Sequence, residues 1–272
     1  MALVPFPGTQ TGALKPLPDD DDDDPLVGGK MSFLEHLDEL RKRIVNACIA
    51  IGVGVVLTFA FIQRIFDFLL APTRSALPPG VKLIYTQPGE AFSLYVTVAL
   101  IAGVVVAAPF IMFQVWMFIA PGLYSNEKRM AIPFVLFTTV GFLLGAAFNH
   151  YIAFPFMMKF FASFNTPDLA FMPKLEDVFG LYSKMLIGMG VVFQMPTVVY
   201  FLAKLKLITA RFLARHFKYA FLIIFVLAAV ITPTGDMMTQ AIFAAPMVGL
   251  YLLSIVVAWL VGPKTFGGSE TD

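Results

Sequence analysis

The stretch Ser32-Phe33-Leu34-Glu35-His36-Leu37-Asp38-Glu39-Leu40-Arg41-Lys42-Arg43 decides how the rest of this chain is organised. It places three carboxylates and three fixed cations directly before the first long apolar segment. Apolar residues recur within it at helical spacing, which gives a helix one apolar and one charged face. These residues are Leu34, Leu37, Leu40 and Ile44. We therefore predict an interfacial helix, with Ser32 and Glu35 forming a capping box at its start.

The composition is that of an integral membrane protein. The chain has 272 residues, of which 58% are hydrophobic and 14% charged. Its mean hydropathy of +0.81 is far above that of an ordinary soluble domain. The net charge of +1, with no separate basic stripe, argues against nucleic-acid binding. Cys48 is the single cysteine, so no intrachain disulfide is possible.

Six apolar segments are candidates to cross the bilayer, for which a helix needs about 20 residues. They run from about residue 44 to 62, 91 to 120, 130 to 156, 178 to 203, 219 to 231 and 241 to 261. Six spans place both termini on one side of the membrane. On that side lie 13 of the 19 lysines and arginines, a bias that favours cytoplasmic termini.

The segments also predict an unusual bundle. Segment five is only about 18 Å long as a helix, and residues 232–236 join it to segment six, so we predict a short final pair of helices. Prolines within the spans remove backbone hydrogen bonds and bend helices, which favours a curved, concave bundle. They are Pro109, Pro133, Pro155, Pro196 and Pro246.

The polar segments outside the spans have simple interpretations. On the far side, residues 71–90 are long enough for a cap with Pro78–Gly80 as its turn, and residues 155–177 could lie along the interface; either could merely connect spans. We divide the chain into a disordered acidic cytoplasmic tail (1–30), a membrane domain (31–262) and a cytoplasmic C-terminal tail (263–272). The acidic run Asp19–Asp24 is interpreted as a solvated tail, or as a decoy for paired arginines.

Several separated motifs, in order, resemble the TatC family, the receptor subunit of the bacterial twin-arginine protein translocase. One motif is His36–Arg43, and a second runs from Phe113 to Tyr124 and on into Glu127-Lys128-Arg129. Residues 232–236 and the run 244–247 are similar to the last hairpin of the family. The likeness covers about residues 32 to 261.

The resemblance implies a receptor in the bacterial cytoplasmic membrane that binds twin-arginine signal peptides of folded proteins. It implies no enzymatic activity and no cofactor, but a scaffold for small single-span TatA- and TatB-type subunits, export driven by the proton-motive force, lipid contact and self-association. The signal-peptide site would include Glu39, Glu127, Phe118 and Arg41. Carboxylates suit an arginine pair because they accept bidentate hydrogen bonds from guanidinium.

Each of these residues has a plainer alternative. Glu39 could simply pair with Arg43 one helical turn on, and Glu127 could be an ordinary loop charge. Phe118 could be an interfacial anchor. A cation cannot receive the arginine pair, so Arg41 would orient Glu39 or hold lipid phosphate.

Two further positions match the family. Gln194 stands where family members often carry a glutamate that engages the small subunits, so the resemblance implies a partner contact at Gln194 and at Pro196, two residues later. An amide at this position can also make a structural interhelical hydrogen bond. Asp236 matches an acidic position of the family, and it would equally cap the last helix.

Two other functional classes have less support in the residues. A secondary transporter of a small solute would show inverted repeats and intramembrane charge pairs, which we do not find. An intramembrane enzyme would need a nucleophile with a base, or a metal motif. His36, His150 and His216 lack a second ligand at metal spacing, so we predict no metal site. We expect Asn149 and His150 to have satisfied hydrogen bonds near the far interface.

Overall fold

The computed structural model describes residues 33–77, 81, 83–119, 131–166, 168, 171–232 and 236–262. These residues form helices, with one isolated bridge between Ile84 and Lys174, and so confirm the all-α prediction. The helices are α1 (Phe33–Phe59), α2 (Ile62–Ala76), α3 (Glu90–Ile119), α4 (Ala131–Phe148), α5 (Phe154–Ala162), α6 (Leu175–Val192), α7 (Met195–Lys204), α8 (Ala210–Arg215), α9 (Phe217–Ile231) and α10 (Met237–Val261). The predicted tails, 1–30 and 263–272, lie outside the described residues.

Five helical runs in the described part are long and apolar enough to cross a membrane. They are Leu34–Phe59, Glu90–Ile119, Ile132–Ala162, Leu175–Lys204 and Met237–Val261, with Phe217–Ile231 as a shorter apolar helix. The prediction of a polytopic helical membrane protein is confirmed. The prediction that the last two helices are short holds for α9, which has 15 residues, but not for α10, which has 25. α10 is longer because it begins four residues before the apolar run of segment six. The curvature of the bundle and the side of the termini stay predictions.

The charged approach does not form a separate interfacial helix. α1 runs without a break from Phe33 through Arg43 to Phe59. The reason is local, because no glycine or proline interrupts the sequence before Gly52. Ser32, the first member of the predicted capping box, lies outside the described residues.

The far-side connection after α1 contains a helix that the hydropathy pattern did not predict. α2 begins at Ile62, where the apolar run of segment one still continues, and ends at Ala76. Its Phe66 ring stacks on Tyr95 of α3 and on Phe179 of α6, at centroid distances of 5.1 and 5.8 Å. Only the first part of the predicted cap, residues 71–76, belongs to this helix, and the predicted turn, Pro78–Gly80, lies outside the described residues.

Two prolines mark positions where a membrane span changes its helical geometry. A π-helix, Asn149–Ala153, separates α4 from α5, and the next residue but one is Pro155. A break at Phe193 and Gln194 separates α6 from α7, where Pro196 lies in the first turn. Proline has no N–H to donate to the carbonyl four residues before it, so both breaks fall where the α-helical ladder would lose a bond. Pro109 and Pro246 instead lie inside uninterrupted helices.

Glycines let neighbouring spans approach closely. A Cβ added at Gly54 of α1 would lie 2.6 Å from the carbonyl oxygen of Gly103 in α3. In α4, Gly141 and Gly145 form a G-x-x-x-G pattern against α6, and a Cβ at Gly145 would collide with the Met189 carbonyl. Small residues at such positions give the backbone contact that holds helices together in lipid, where apolar burial alone does not favour association.

Side chains also donate hydrogen bonds to carbonyl oxygens of neighbouring helices. The Thr58 hydroxyl of α1 donates to Ala99 O in α3 at 3.1 Å. Gln240 Nε2 of α10 donates to Phe225 O in α9 at 2.8 Å, and Tyr251 Oη donates to Leu213 O at 2.9 Å. These bonds tie α1 to α3 and α10 to both α8 and α9.

A buried carboxylate connects the starts of α3 and α6. Glu90, which is 5% exposed, accepts hydrogen bonds from the backbone N–H groups of Thr86 and Gln87. Its other oxygen accepts from the N–H of Glu176 in the first turn of α6 at 3.2 Å. Nearby, Leu175 N donates to Ile84 O at 2.9 Å. Backbone donors thus satisfy both carboxylate oxygens and join the two far-side connections.

The glycine contact between α4 and α6 can be tested with two matched substitutions. Gly145→Ala should lower the thermal unfolding midpoint in detergent, because the added methyl group overpacks a backbone contact at a cost of about 1–3 kcal/mol. Gly249→Ala in α10 adds the same methyl group where nothing lies within 4 Å, so it should leave the midpoint unchanged or raise it. Equal midpoints for the two variants would contradict this packing role.

Candidate functional site

Glu39 belongs to a series of polar side chains in contact, Glu39, Arg43 and Gln114, that joins α1 to α3. Arg43, one turn further along α1, donates from Nη2 to Glu39 Oε1 at 2.9 Å. The same guanidinium reaches across to α3, where its Nη1 lies 3.5 Å from Oε1 of the buried Gln114. The Glu39 side chain is 15% exposed and that of Arg43 18%. The predicted pairing with Arg43 is confirmed, and it holds the carboxylate at the meeting of two helices.

The pair leaves hydrogen-bonding capacity unused. Glu39 Oε2 and Arg43 Nε are buried atoms without a hydrogen-bond partner among the described residues. A carboxylate oxygen in this condition can accept a further charge-assisted hydrogen bond, which is stronger than one between neutral groups. Glu39 Oε2 is therefore an acceptor that the contact with Arg43 does not use.

Phe118 lies at the same end of α3 as Gln114. It follows Gln114 by four residues near the end of α3, so the two side chains share one side of the helix. This end of α3 is fixed by a cluster of rings, because Trp116 packs on Phe134 of α4 and on Phe201 of α7 at 4.9 and 6.2 Å. Phe118 thus lies at the end of α3 where Gln114 meets Arg43 and Glu39.

Glu127 and Arg41 are the other two residues predicted for this site. Glu127 lies outside the described residues. Arg41 is exposed, and the cation in contact with Glu39 is Arg43. Orienting Glu39 is therefore the work of Arg43, since residues four apart face each other on a helix and residues two apart do not. A lipid-binding role for Arg41 stays a prediction.

Gln194 lies at the break between α6 and α7 and contacts α4. Its Nε2 donates to the Thr138 carbonyl oxygen at 2.8 Å, so the predicted interhelical hydrogen bond is present. Its Oε1 is buried and has no partner among the described residues. Gly141 of α4 lies beside this break, where an added Cβ would lie 3.2 Å from the Phe193 carbonyl oxygen. Pro196 follows in the first turn of α7 and is half-buried.

Asp236 caps α10. Its Oδ2 accepts a hydrogen bond from the backbone N–H of Thr239 at 2.7 Å, the contact of an N-cap residue. The cap starts the helix at Met237, before the apolar run of segment six begins. The capping interpretation is confirmed, and a further role for the carboxylate stays a prediction.

The two polar residues at the π-helix, Asn149 and His150, differ in whether their side chains have hydrogen-bond partners. His150 Nδ1 lies 2.8 Å from Tyr182 Oη, and its ring stacks on Phe68 at 4.2 Å, so its satisfied state is confirmed. Asn149 is fully buried, yet neither of its side-chain amide atoms has a partner among the described residues. The expectation that Asn149 is satisfied is wrong within this part of the chain. No group of His, Cys, Asp and Glu in the described residues could hold a metal ion.

Sequence reasoning missed Gln114 as a member of the site. It lies within the motif that carried the family resemblance, but nothing in the sequence pairs it with Arg43, 71 residues earlier. A single amide in an otherwise apolar helix was the available signal, because a polar side chain in a span needs a partner.

These features define a polytopic α-helical membrane protein whose few polar side chains meet between helices. The family model described as "Sec-independent protein translocase protein (TatC)" matches residues 35–246. This chain belongs to the TatC family. It is therefore a component of the Tat translocase, a multi-pass membrane protein that works with other Tat subunits, and it is not an enzyme. The alternative of a small-solute transporter is not favoured.

Relatives match over nearly their whole length. The chain is 42% identical over 241 residues to the Sec-independent protein translocase protein TatC of Desulforapulum autotrophicum, with 89% of each chain covered. It is 42% identical over 237 residues to the TatC protein of Koribacter versatilis, covering 86% of this chain and 87% of that one. A crystal structure described as the twin arginine translocase receptor TatC superposes with a TM-score of 0.74 at 36% identity, covering 84% and 99% of the two chains.

Substitutions at Asp236 can separate its capping role from any further role of the carboxylate. Asp236→Ala should lower the stability of the protein by about 1 kcal/mol, because Thr239 N loses its acceptor. Asp236→Asn should keep the cap, since asparagine caps helices about as well, and thermal unfolding of both variants checks this. An Asp236→Asn protein that melts like the Ala variant would contradict the capping role, and one that keeps its midpoint but loses export activity would give the carboxylate a second role.

Proposed function

We propose that this chain is the core receptor of the twin-arginine translocation system in the bacterial cytoplasmic membrane. It binds the twin-arginine signal peptides of folded proteins on the cytoplasmic side, where both of its own termini lie. It also scaffolds the small single-span TatA- and TatB-type subunits for export driven by the proton-motive force. The observation that carries the proposal is the Glu39 carboxylate, held by Arg43 between α1 and α3 with one oxygen still able to accept.

The arginine pair of the peptide binds to carboxylates on two segments. One guanidinium donates to Glu39 Oε2, which receives no hydrogen bond from the described residues. The other binds Glu127, which follows α3 in sequence, and Phe118 provides an apolar surface beside the site. Arginine is favoured over lysine because its planar guanidinium can make two parallel hydrogen bonds to one carboxylate.

Arg43 prepares Glu39 for this contact. Its guanidinium keeps the carboxylate oriented, and the reach to Gln114 fixes the position of Arg43 relative to α3. The pair is mostly buried, so Arg43 stays on Oε1 while Oε2 accepts from the peptide.

Gln194 contacts the small subunits at the break between α6 and α7, together with Pro196. Its two amide N–H bonds are directed at Thr138 O and Gly190 O, so Oε1 is the atom of this side chain left to bind a partner. The partner group is therefore a hydrogen-bond donor, such as a hydroxyl or an amide N–H in a single-span helix. An amide at this position has no proton to lose, which separates this contact from any protonation step.

Signal-peptide binding to the purified protein tests the receptor function. A twin-arginine peptide should bind more tightly than its twin-lysine version, and Glu39→Gln or Glu127→Gln should remove most of that preference. The expected loss is about tenfold in affinity, which corresponds to about 1.4 kcal/mol for one charge-assisted hydrogen bond. Binding is measured by fluorescence anisotropy of a labelled peptide.

Glu176→Gln is the matched control, because Glu176 is an exposed carboxylate in the first turn of another helix. It should leave both affinities unchanged. The receptor proposal fails if the wild-type protein does not discriminate between the two peptides. It also fails if Glu176→Gln reduces the preference as much as Glu39→Gln does.

Retention of a small subunit tests the role of Gln194. Gln194→Leu should reduce co-purification of the single-span partner several-fold, because the only acceptor offered to it is lost. Gln240→Leu is the control, since this amide also donates to a carbonyl of a neighbouring helix and its loss should cost similar stability. If the two variants retain the partner equally, Gln194 acts only within the chain.

A further inference from the structure

The connection between α7 and α9 is strongly basic and lies in a stretch of sequence without acidic residues. Within Lys204–Lys218 there are five cations, and the sequence contains no Asp or Glu between residues 178 and 235. The cations are Lys204, Lys206, Arg211, Arg215 and Lys218, and all five are exposed. In the described part of the chain, the ion pairs lie elsewhere, at Glu39 with Arg43 and at Asp67 with Arg74. Within the described residues this connection therefore carries a net positive charge, which attracts an anion.

Part of this charge lines an open cleft. Arg215, His216, Lys218 and Tyr219 surround a volume of about 480 Å³ where α8 turns into α9. His216 Nδ1 lies 2.8 Å from the Phe212 carbonyl oxygen, and because a carbonyl can only accept, this nitrogen carries the proton. Arg215 and Lys218 both line the cleft, where their N–H groups can donate to phosphate oxygens.

Apolar side chains are exposed among these cations. Leu207 is 68% exposed and Phe212 52%, and Tyr219 lies at the edge of the cleft. The connection follows a membrane span that ends at Lys204 and precedes the apolar helix α9, so it lies at the membrane surface. Cations interleaved with exposed apolar groups at this depth are typical of segments that bind anionic membranes.

We propose that residues Lys204–Lys218 bind an anionic phospholipid, with Arg215 and Lys218 on the headgroup phosphate. Leu207 and Phe212 contact its acyl chains, and Tyr219 lies at the level of the headgroup, as aromatic residues of membrane interfaces do. The positive charge of the cleft would repel an arginine-rich peptide, so this surface is distinct from the Glu39 site. A lipid that anchors α8 also restrains α10, because Tyr251 of α10 donates a hydrogen bond to Leu213 O of α8.

Native mass spectrometry of the detergent-purified protein tests the proposal with phosphatidylglycerol and with phosphatidylcholine of identical chains. The wild-type protein should bind phosphatidylglycerol more tightly. The double variant R215Q/K218Q should weaken this binding on the order of tenfold, because each basic residue near a membrane surface contributes severalfold in affinity. R215K/K218R, which keeps both charges, should retain it.

R64Q/K159Q is the matched control, because it removes two exposed cations from other helices. It should not change the preference for phosphatidylglycerol. The proposal is overturned if the wild-type protein binds both lipids equally, or if the control loses as much as R215Q/K218Q. Should that double variant fail to fold, protection of Lys218 from acetylation in phosphatidylglycerol nanodiscs, relative to phosphatidylcholine nanodiscs, decides the question in the wild-type chain.

Discussion

A polar group in an apolar medium needs a hydrogen-bond partner, and this requirement organises the contacts between the helices. The helices satisfy their own backbones, so what remains are a few side chains that reach a neighbouring carbonyl. Thr58, Gln194 and Gln240 each donate to a main-chain oxygen of another helix. Each such bond fixes the relative height of two helices, because moving one along the other would leave the donor buried without an acceptor.

The same requirement makes the exceptions informative. Glu39 Oε2 and Gln194 Oε1 are buried acceptors that the described residues leave without a donor. They lie on different helices, one where α1 meets α3 and the other where α6 meets α4. Acceptors held on packed helices cost little reorganisation when a donor binds, which is what the proposed contacts with a cationic peptide and a membrane-embedded partner require.

The family could be recognised from short motifs and the spans from apolar runs, because both are local features of the sequence. Segment two was predicted as residues 91–120 and is observed as Glu90–Ile119, since a long apolar run has one stable solution in lipid. α2 was missed because hydropathy does not mark where a span ends and a surface helix begins. The reach of Arg43 to Gln114 was missed because pairing across 71 residues depends on how α1 packs against α3, which Gly54 and Gly103 determine.

The π-helix at Asn149–Ala153 changes the angular register of the span that contains it. An α-helix turns about 100° per residue, so the one extra residue in the wide turn rotates everything after it by about that angle relative to α4. The side of the helix that α4 presents to α6 is therefore not the side that α5 presents to α2. A chain lacking one residue here would keep the span but turn Met157 and Met158, both now buried, away from the core. Length at this turn is thus as constrained as residue identity.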